Sequence, residues 1–341
     1  MRHMEEYPVK MIRHLCSIAL AGALVAGAGA AQAADFEWKL FTPFTANDKP
    51  TQLYREFAAD VEKASGGKLK IGVFSSAELP YKNSDALKIV ATNQVEMADV
   101  AIGPVSGDVP DLNVFVLPFI CTSMDQFYKA ADAALPVINQ RLSDKFGVTG
   151  LTMWTMPPQQ IWLTKGLDSI SELKGRKIRT WNRTQVEMLD LMGASGVAIT
   201  PAEVIPSLQR GVVDGAITAA IPAYDWKFYE VLGFGYMLNF TMTDQIIAVN
   251  SAQLAALPAD VAKALTDTAA AWQGRFREAI TQAAIDAEKK LQEKGLKLLT
   301  PSDADIKQAR DITRPMWEAW AEKNGGIAKD LLTSVSSACA G

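Results

Sequence analysis

From residue 36 onward the apolar positions follow two rhythms, alternate residues in short runs and every third or fourth residue in longer ones. These are the spacings of strands and of amphipathic helices. A strand is predicted over 36–41, then a helix over 53–64 with Phe57, Val61 and Ala64 on one face, stopped by Ser65-Gly66-Gly67. Strands follow over 69–74 and 97–102, with a helix over 84–92 between them. Strand, helix, strand, helix, strand predicts an α/β sheet with parallel strands. The apolar run 114–120 leads into a helix over about 123–146 and a strand over 148–154, and Pro157-Pro158 then breaks the chain.

A second lobe is predicted to start at that break. Strands at 160–164, 177–181, 196–199 and 215–218 enclose helices at 185–192 and 202–211, and an apolar strand within 239–250 returns to the first lobe. Pro258 opens an amphipathic stretch that runs to about 294. Unbroken, it would be roughly 55 Å long at about 1.5 Å per residue, more than one lobe needs. Such a helix is a coiled-coil arm or a strut across two lobes. Small residues on its inner face (Ala262, Ala269, Ala270, Ala284) favour the strut. Helices over 302–323 and 327–335 end the chain. The expected division is lobe I from 34–156 plus about 244–283, and lobe II from 157–243 plus about 284–341.

Residues 1–33 stand outside this pattern. Lys10, Arg13 and His14 precede an apolar Ala- and Gly-rich run, and Ala31-Gln32-Ala33 is a small-x-small cleavage site. Together they predict an exported chain whose signal peptide is removed near Ala34, with Met1 or Met11 as the start. About 14 apolar residues fall short of the roughly 20 that span a bilayer. Without the leader, which holds Arg2, Lys10, Arg13, Glu5 and Glu6, the chain has 31 basic and 36 acidic residues. That balance argues against nucleic acid or anionic membrane as a partner. Both histidines, His3 and His14, also lie in the leader. The mature chain therefore has no histidine for a triad, a metal site or proton transfer. Cys121 and Cys339 are too few for a zinc site. They form one disulfide, or Cys121, at the end of an apolar run, is a buried thiol; both readings stand.

One stretch carries binding chemistry. If 175–183 is extended, Lys177, Arg179 and Trp181 share a face. A guanidinium beside an indole can grip a carboxylate with two parallel hydrogen bonds while the ring covers an apolar body. The competing reading is an ordinary strand with a solvated basic face. Gly-rich phosphate loops are missing, and nothing singles out a catalytic carboxylate pair among the acids.

Six segments, in order, resemble the DctP-type substrate-binding proteins of TRAP transporters. They are Ser65-Gly66-Gly67-Lys68-Leu69-Lys70, Val95-Glu96-Met97-Ala98-Asp99, and Val114-Phe115-Val116-Leu117-Pro118-Phe119. The other three are 168–179 ending in Lys177-Ile178-Arg179, 201–215 ending in Val212-Val213-Asp214-Gly215, and Lys227-Phe228-Tyr229-Glu230-Val231. The resemblance implies a two-lobed periplasmic clamp with a long helix spanning both lobes. It implies capture of an organic acid, delivery to a small and a large membrane subunit, and import driven by an ion gradient.

It also implies that Arg179 holds the ligand carboxylate, with Asn182 as its partner. Where sialic-acid binders of the family carry a second arginine, a cleft asparagine and an acidic residue, this chain has Gln159, Thr218 and Ala101. That loss of polar groups points to a monocarboxylate with an apolar or aromatic body, or a small 2-oxo or hydroxy acid. A dicarboxylate would need a second cation such as Lys82 or Arg183. Trp181, Phe44 and Gly103 complete the predicted site; no cofactor or metal is expected, and the protein is expected to be a monomer. A ligand-presenting protein for a sensor receptor and a secreted hydrolase are the alternatives.

Overall fold

The computed structural model describes residues 34–76 and 78–340. The predicted signal peptide and the choice of start lie outside these residues. The first part of the chain forms β1 (Phe36–Phe41), α1 (Lys49–Ala64), β2 (Leu69–Phe74), α2 (Ala86–Ala91), β3 (Met97–Val100), α3 (Ile102–Val105), α4 (Met124–Phe146) and β4 (Val148–Thr155). Next come β5 (Gln160–Leu163), β6 (Lys177–Thr180), α5 (Arg183–Leu191), β7 (Ser195–Ala198), α6 (Pro201–Gln209), β8 (Gly215–Thr218), α7 (Ala220–Asp225) and β9 (Phe234–Tyr236). The chain ends with β10 (Asp244–Asn250), α8 (Ser251–Ala256), α9 (Ala259–Glu293), β11 (Lys297–Leu299), α10 (Asp303–Asn324) and α11 (Gly326–Ala340).

Two sheets result, ordered β2-β1-β3-β10-β4 and β11-β9-β5-β8-β6-β7. They are mixed, not purely parallel. β10 runs antiparallel to β3 and β4, and β5 runs antiparallel to β8 and β9. These reversed strands are the two that enter directly from the other sheet, with no helix between. Each crossover leaves one sheet where its strands end and enters the next from that same side, so the incoming strand must run backward. The crossovers are stitched together: Met156 N–H donates to Thr243 O (3.1 Å) and Gln159 N–H to Thr241 O (2.8 Å). Gln160 and Asn239 add a reciprocal pair, Nε2 to Oδ1 at 2.5 Å and backbone N–H to Oε1 at 3.0 Å. Both crossovers thus lie at the carboxyl ends of the sheet strands, where open α/β sheets bind ligands.

The long helix is continuous, 35 residues and about 52 Å. Its buried stripe, from Val261 to Leu291, recurs every three or four residues. Residues up to Ile280 lie in the first core, whereas Ala287 and Leu291 lie in the second. The strut is therefore real, but its packing differs from the Ala-rich face expected. Ala270 is exposed, and Trp272 and Phe276 carry the centre. Phe276 stacks on Trp154 of β4 with centroids 4.9 Å apart and planes 8° apart, a geometry in which dispersion adds to burial.

The C-terminal helix departs from the expected division. α11 packs on α4, with Leu331, Val335 and Cys339 in the first core, because its apolar face complements that helix. Cys339 is bonded to Cys121 across 218 residues of sequence. The disulfide alternative is the one the structure adopts. Closing so long a loop restricts the unfolded chain, and losing the bond should cost about 2 kcal/mol or more. Cys339→Ser is expected to lower the melting temperature by several degrees without changing the far-ultraviolet circular dichroism; an unchanged melting temperature would contradict this.

Candidate functional site

Arg179 occupies β6, between β7 and β8, and is 2% exposed. Its Nε donates to Ile199 O (2.9 Å) and its Nη1 to Ile217 O (3.0 Å). Among the described residues no acceptor engages Nη2, and no acid pairs with the guanidinium. Trp226, at the end of α7, brings its ring centroid within 5.8 Å of Arg179 Cζ, close enough for a cation–π attraction. Burial alone pushes the guanidinium down to about 10, so it stays charged at neutral pH. A buried, uncompensated cation is costly, and an incoming anion relieves that cost.

The strand ends at Thr180, one residue short of the Trp181 that its face argument required. Lys177 is exposed at the strand start, Arg179 is buried, and Trp181 is already in the turn. The indole beside the guanidinium is thus Trp226 and not Trp181. Nothing in local spacing pointed to it, because it arrives from the far end of α7. Asn182 caps α5, its Oδ1 accepting from Gln185 N–H at 2.8 Å. That leaves its amide nitrogen for a ligand and places the positive end of a helix there.

Thr218 ends β8 next to Ile217, and its carbonyl accepts from Trp162 Nε1 at 2.8 Å. Gln159 is 5% exposed in the crossover, held by its backbone. Thr218 and Gln159 therefore join Arg179 at the carboxyl ends of the strands. Phe44 lies on the first lobe's aromatic cluster, 6.5 Å from the Trp154 ring. Gly103, in α3, meets Trp181: a Cβ added there would lie 4.0 Å from Trp181 Cζ3. Neither candidate second cation is buried. Lys82 is exposed, and Arg183 is 91% exposed and pairs with Glu187 at 2.8 Å on its own helix.

Two acids escaped sequence reading. Asp99 and Asp244 are both buried in the first sheet. Burial raises Asp99 to about 8, against hydrogen bonds from Tyr54 and Thr42. Asp244 is raised to about 7 by burial, opposed by its own backbone N–H and that of Ile102, neither of which reaches its oxygens in good hydrogen-bond geometry. A lone Asp within each apolar strand run was the available signal.

With this geometry in view, the chain can be placed among known proteins. Residues 44–324 match the model of the DctP family, bacterial extracellular solute-binding protein family 7. The chain belongs to that family, the TRAP-type solute-binding proteins. It is 27% identical over 291 residues to a solute-binding protein of Albidiferax ferrireducens, covering 82% of this chain and 84% of the relative. The C4-dicarboxylate-binding periplasmic protein DctP of Rhodobacter capsulatus is 26% identical over 285 residues, 82% of this chain and 80% of the relative. The fold matches a Bordetella pertussis extracytoplasmic solute receptor solved with pyroglutamic acid (TM-score 0.80, 24% identity, 88% of this chain and 99% of the other). A Chromohalobacter salexigens protein with bound D-glucuronate gives a TM-score of 0.79 at 20% identity, covering 88% and 99%. This chain shares their two-lobed α/β fold.

Proposed function

We propose that this protein captures an organic monocarboxylate between its lobes in the periplasm and passes it to the small and large membrane subunits of a TRAP-type importer. The observation that carries the reading is Arg179, a buried cation with two nitrogens fixed to carbonyls and, among the described residues, no acceptor on the third and no acid paired with it. Two carbonyls fix the plane of the guanidinium in advance, so little freedom is lost when a carboxylate docks. Asn182 offers an amide N–H to the same carboxylate, and Thr218 and Gln159 offer polar contacts to the body. Trp226 joins the reading as an aromatic wall, and Phe44 supplies apolar cover from the first lobe. A closed cleft strengthens each of these interactions, which couples binding to closure.

One buried cation favours one carboxylate. Pyroglutamate, D-glucuronate and orotate, named for solved structures of this fold, each carry a single carboxyl group, whereas the Rhodobacter capsulatus relative is named for C4-dicarboxylates; the monocarboxylate reading therefore rests on the one buried cation. The apolar surroundings favour a ligand with an apolar, planar or small 2-oxo or hydroxy body. Binding without turnover is the expected activity, and a monomer the expected form.

The test is a thermal-shift screen of the mature chain against organic acids, including these three and succinate. Acids that bind only the folded state must raise the melting temperature, by an amount growing with concentration over Kd. A monocarboxylate is expected to give the largest rise. If every acid leaves the melting temperature unchanged, the reading fails; if succinate prevails, the monocarboxylate assignment fails.

A further inference from the structure

We propose that Trp181 is a positioning residue, seating the second lobe on the first through the bare backbone at Gly103 and so holding the cleft shut over the acid. The inference rests on the reading that Arg179 holds a carboxylate, and it replaces the pocket-wall role that sequence spacing gave Trp181.

The seat is built from first-lobe residues. A Cβ at Gly103 would meet Val116 Cγ1 at 3.5 Å, Asn113 Oδ1 at 4.0 Å and Trp181 Cζ3 at 4.0 Å. The indole edge therefore lies against a hollow floored by glycine and flanked by Val116 and Asn113. On the other side, the ring packs against the second lobe's core. One indole thus touches both lobes.

The turn that carries the ring is rigid. Trp181 N–H donates to Gln185 Oε1 (3.1 Å), and Gln185 N–H donates to Asn182 Oδ1 (2.8 Å). Gln185 is itself 2% exposed. Arg179 lies two residues before the ring and Asn182 one residue after it. A carboxylate held by Arg179 and Asn182 therefore fixes the segment that places Trp181, and seating Trp181 fixes the segment that presents Arg179. The ring acts on the open–closed equilibrium, which all ligands share. A change in the closed fraction scales every apparent Kd by one factor. A wall contact would instead discriminate between ligand bodies.

The experiment has a ligand-dependent and a ligand-free arm. In the first, Kd for pyroglutamate and for orotate is measured on the wild type, Trp181→Ala and Trp181→Phe, beside the ligand-free melting temperature. Trp181→Ala is expected to weaken both acids by the same factor, about tenfold and mostly in the dissociation rate, with Trp181→Phe restoring part of the loss. Factors differing more than threefold between the acids, or no loss, overturn the proposal. In the second arm, the protein is labelled with 5-fluorotryptophan, and the Trp181 resonance is identified by its absence in Trp181→Phe. Gly103→Ala, whose added carbon fits at ordinary contact distances, is expected to shift that resonance in the ligand-free protein; an unmoved resonance overturns the seat. If neither acid binds the wild type, the carboxylate reading suffers, while the fluorine arm still decides the contact.

Discussion

Arg179→Ala is expected to abolish the acid-dependent rise in melting temperature and to weaken binding at least ~100-fold, while the ligand-free melting temperature changes by only a few degrees. Truncating one partner of a buried, hydrogen-bonded charge pair costs about 2–5 kcal/mol, and ~100-fold corresponds to about 2.7 kcal/mol. The effect on the ligand-free protein is small because two contributions oppose. Removing the guanidinium relieves the desolvated charge that pushes it down to about 10. It also strips donors from Ile199 O and Ile217 O and leaves a gap beside Trp226. Arg179→Lys should bind weakly, since an ammonium cannot keep both carbonyls and present a planar fork. Binding by the wild type should begin to weaken near pH 9 and its Kd should about double near pH 10, where half of the free guanidinium has lost its proton. Calorimetric titration with the best acid from the screen checks this. An unchanged Kd in Arg179→Ala would remove Arg179 from the site.

How far such a site can be read from sequence depends on the distance over which its parts are assembled. The strut was legible because thirty-five residues of one period average out local noise. The identity of its central packing residues was not, since Trp272 and Phe276 are chosen by Trp154, Tyr54 and Phe57 across the interface. Arg179 was found because a strand and its motif are local. Its aromatic partner was missed because Trp226 comes from a different element, and alternation along β6 says nothing of what returns over it. The disulfide joins ends 218 residues apart, a pairing that only α11 lying on α4 makes visible. Parallel pairing was overextended for a similar reason. The reversed β5 and β10 follow from where the crossovers enter, a property of the assembled sheets and not of either segment.

The buried acids set the second large effect, a fall in stability as pH rises. Asp99 and Asp244 are raised by burial to about 8 and about 7, against about 3.9 in an unfolded chain. Below pH 4 both carboxyls keep their protons whether the chain is folded or not, and stability is at its fullest with respect to them. Between pH 4 and 8 the unfolded chain releases protons that the folded chain retains. Unfolding then becomes progressively easier, by about 1.4 kcal/mol per pH unit for each fully retained proton. Above about 8 these two groups contribute no further slope. The expected result is a melting temperature that falls by several degrees between pH 5 and 8.

Asp99→Asn removes one titration while keeping the hydrogen bonds. The new carboxamide can accept from Tyr54 and Thr42, the present partners of the acid. Gln245, which with its amide nitrogen turned inward lies 2.7 and 3.2 Å from the two Asp99 oxygens, can turn over to accept from the new amide. Asp244→Asn removes the second titration and keeps a carbonyl oxygen that can face the Asp244 and Ile102 backbone N–H groups. Each single variant should therefore flatten part of the decline, the Asp244 variant up to about pH 7 and the Asp99 variant up to about pH 8, and the double variant should be flattest. The check is the melting temperature of the four proteins at half-unit steps from pH 4.5 to 8.5. Four parallel curves would mean that other groups set the pH dependence and that these acids ionise in the folded chain as they do in water.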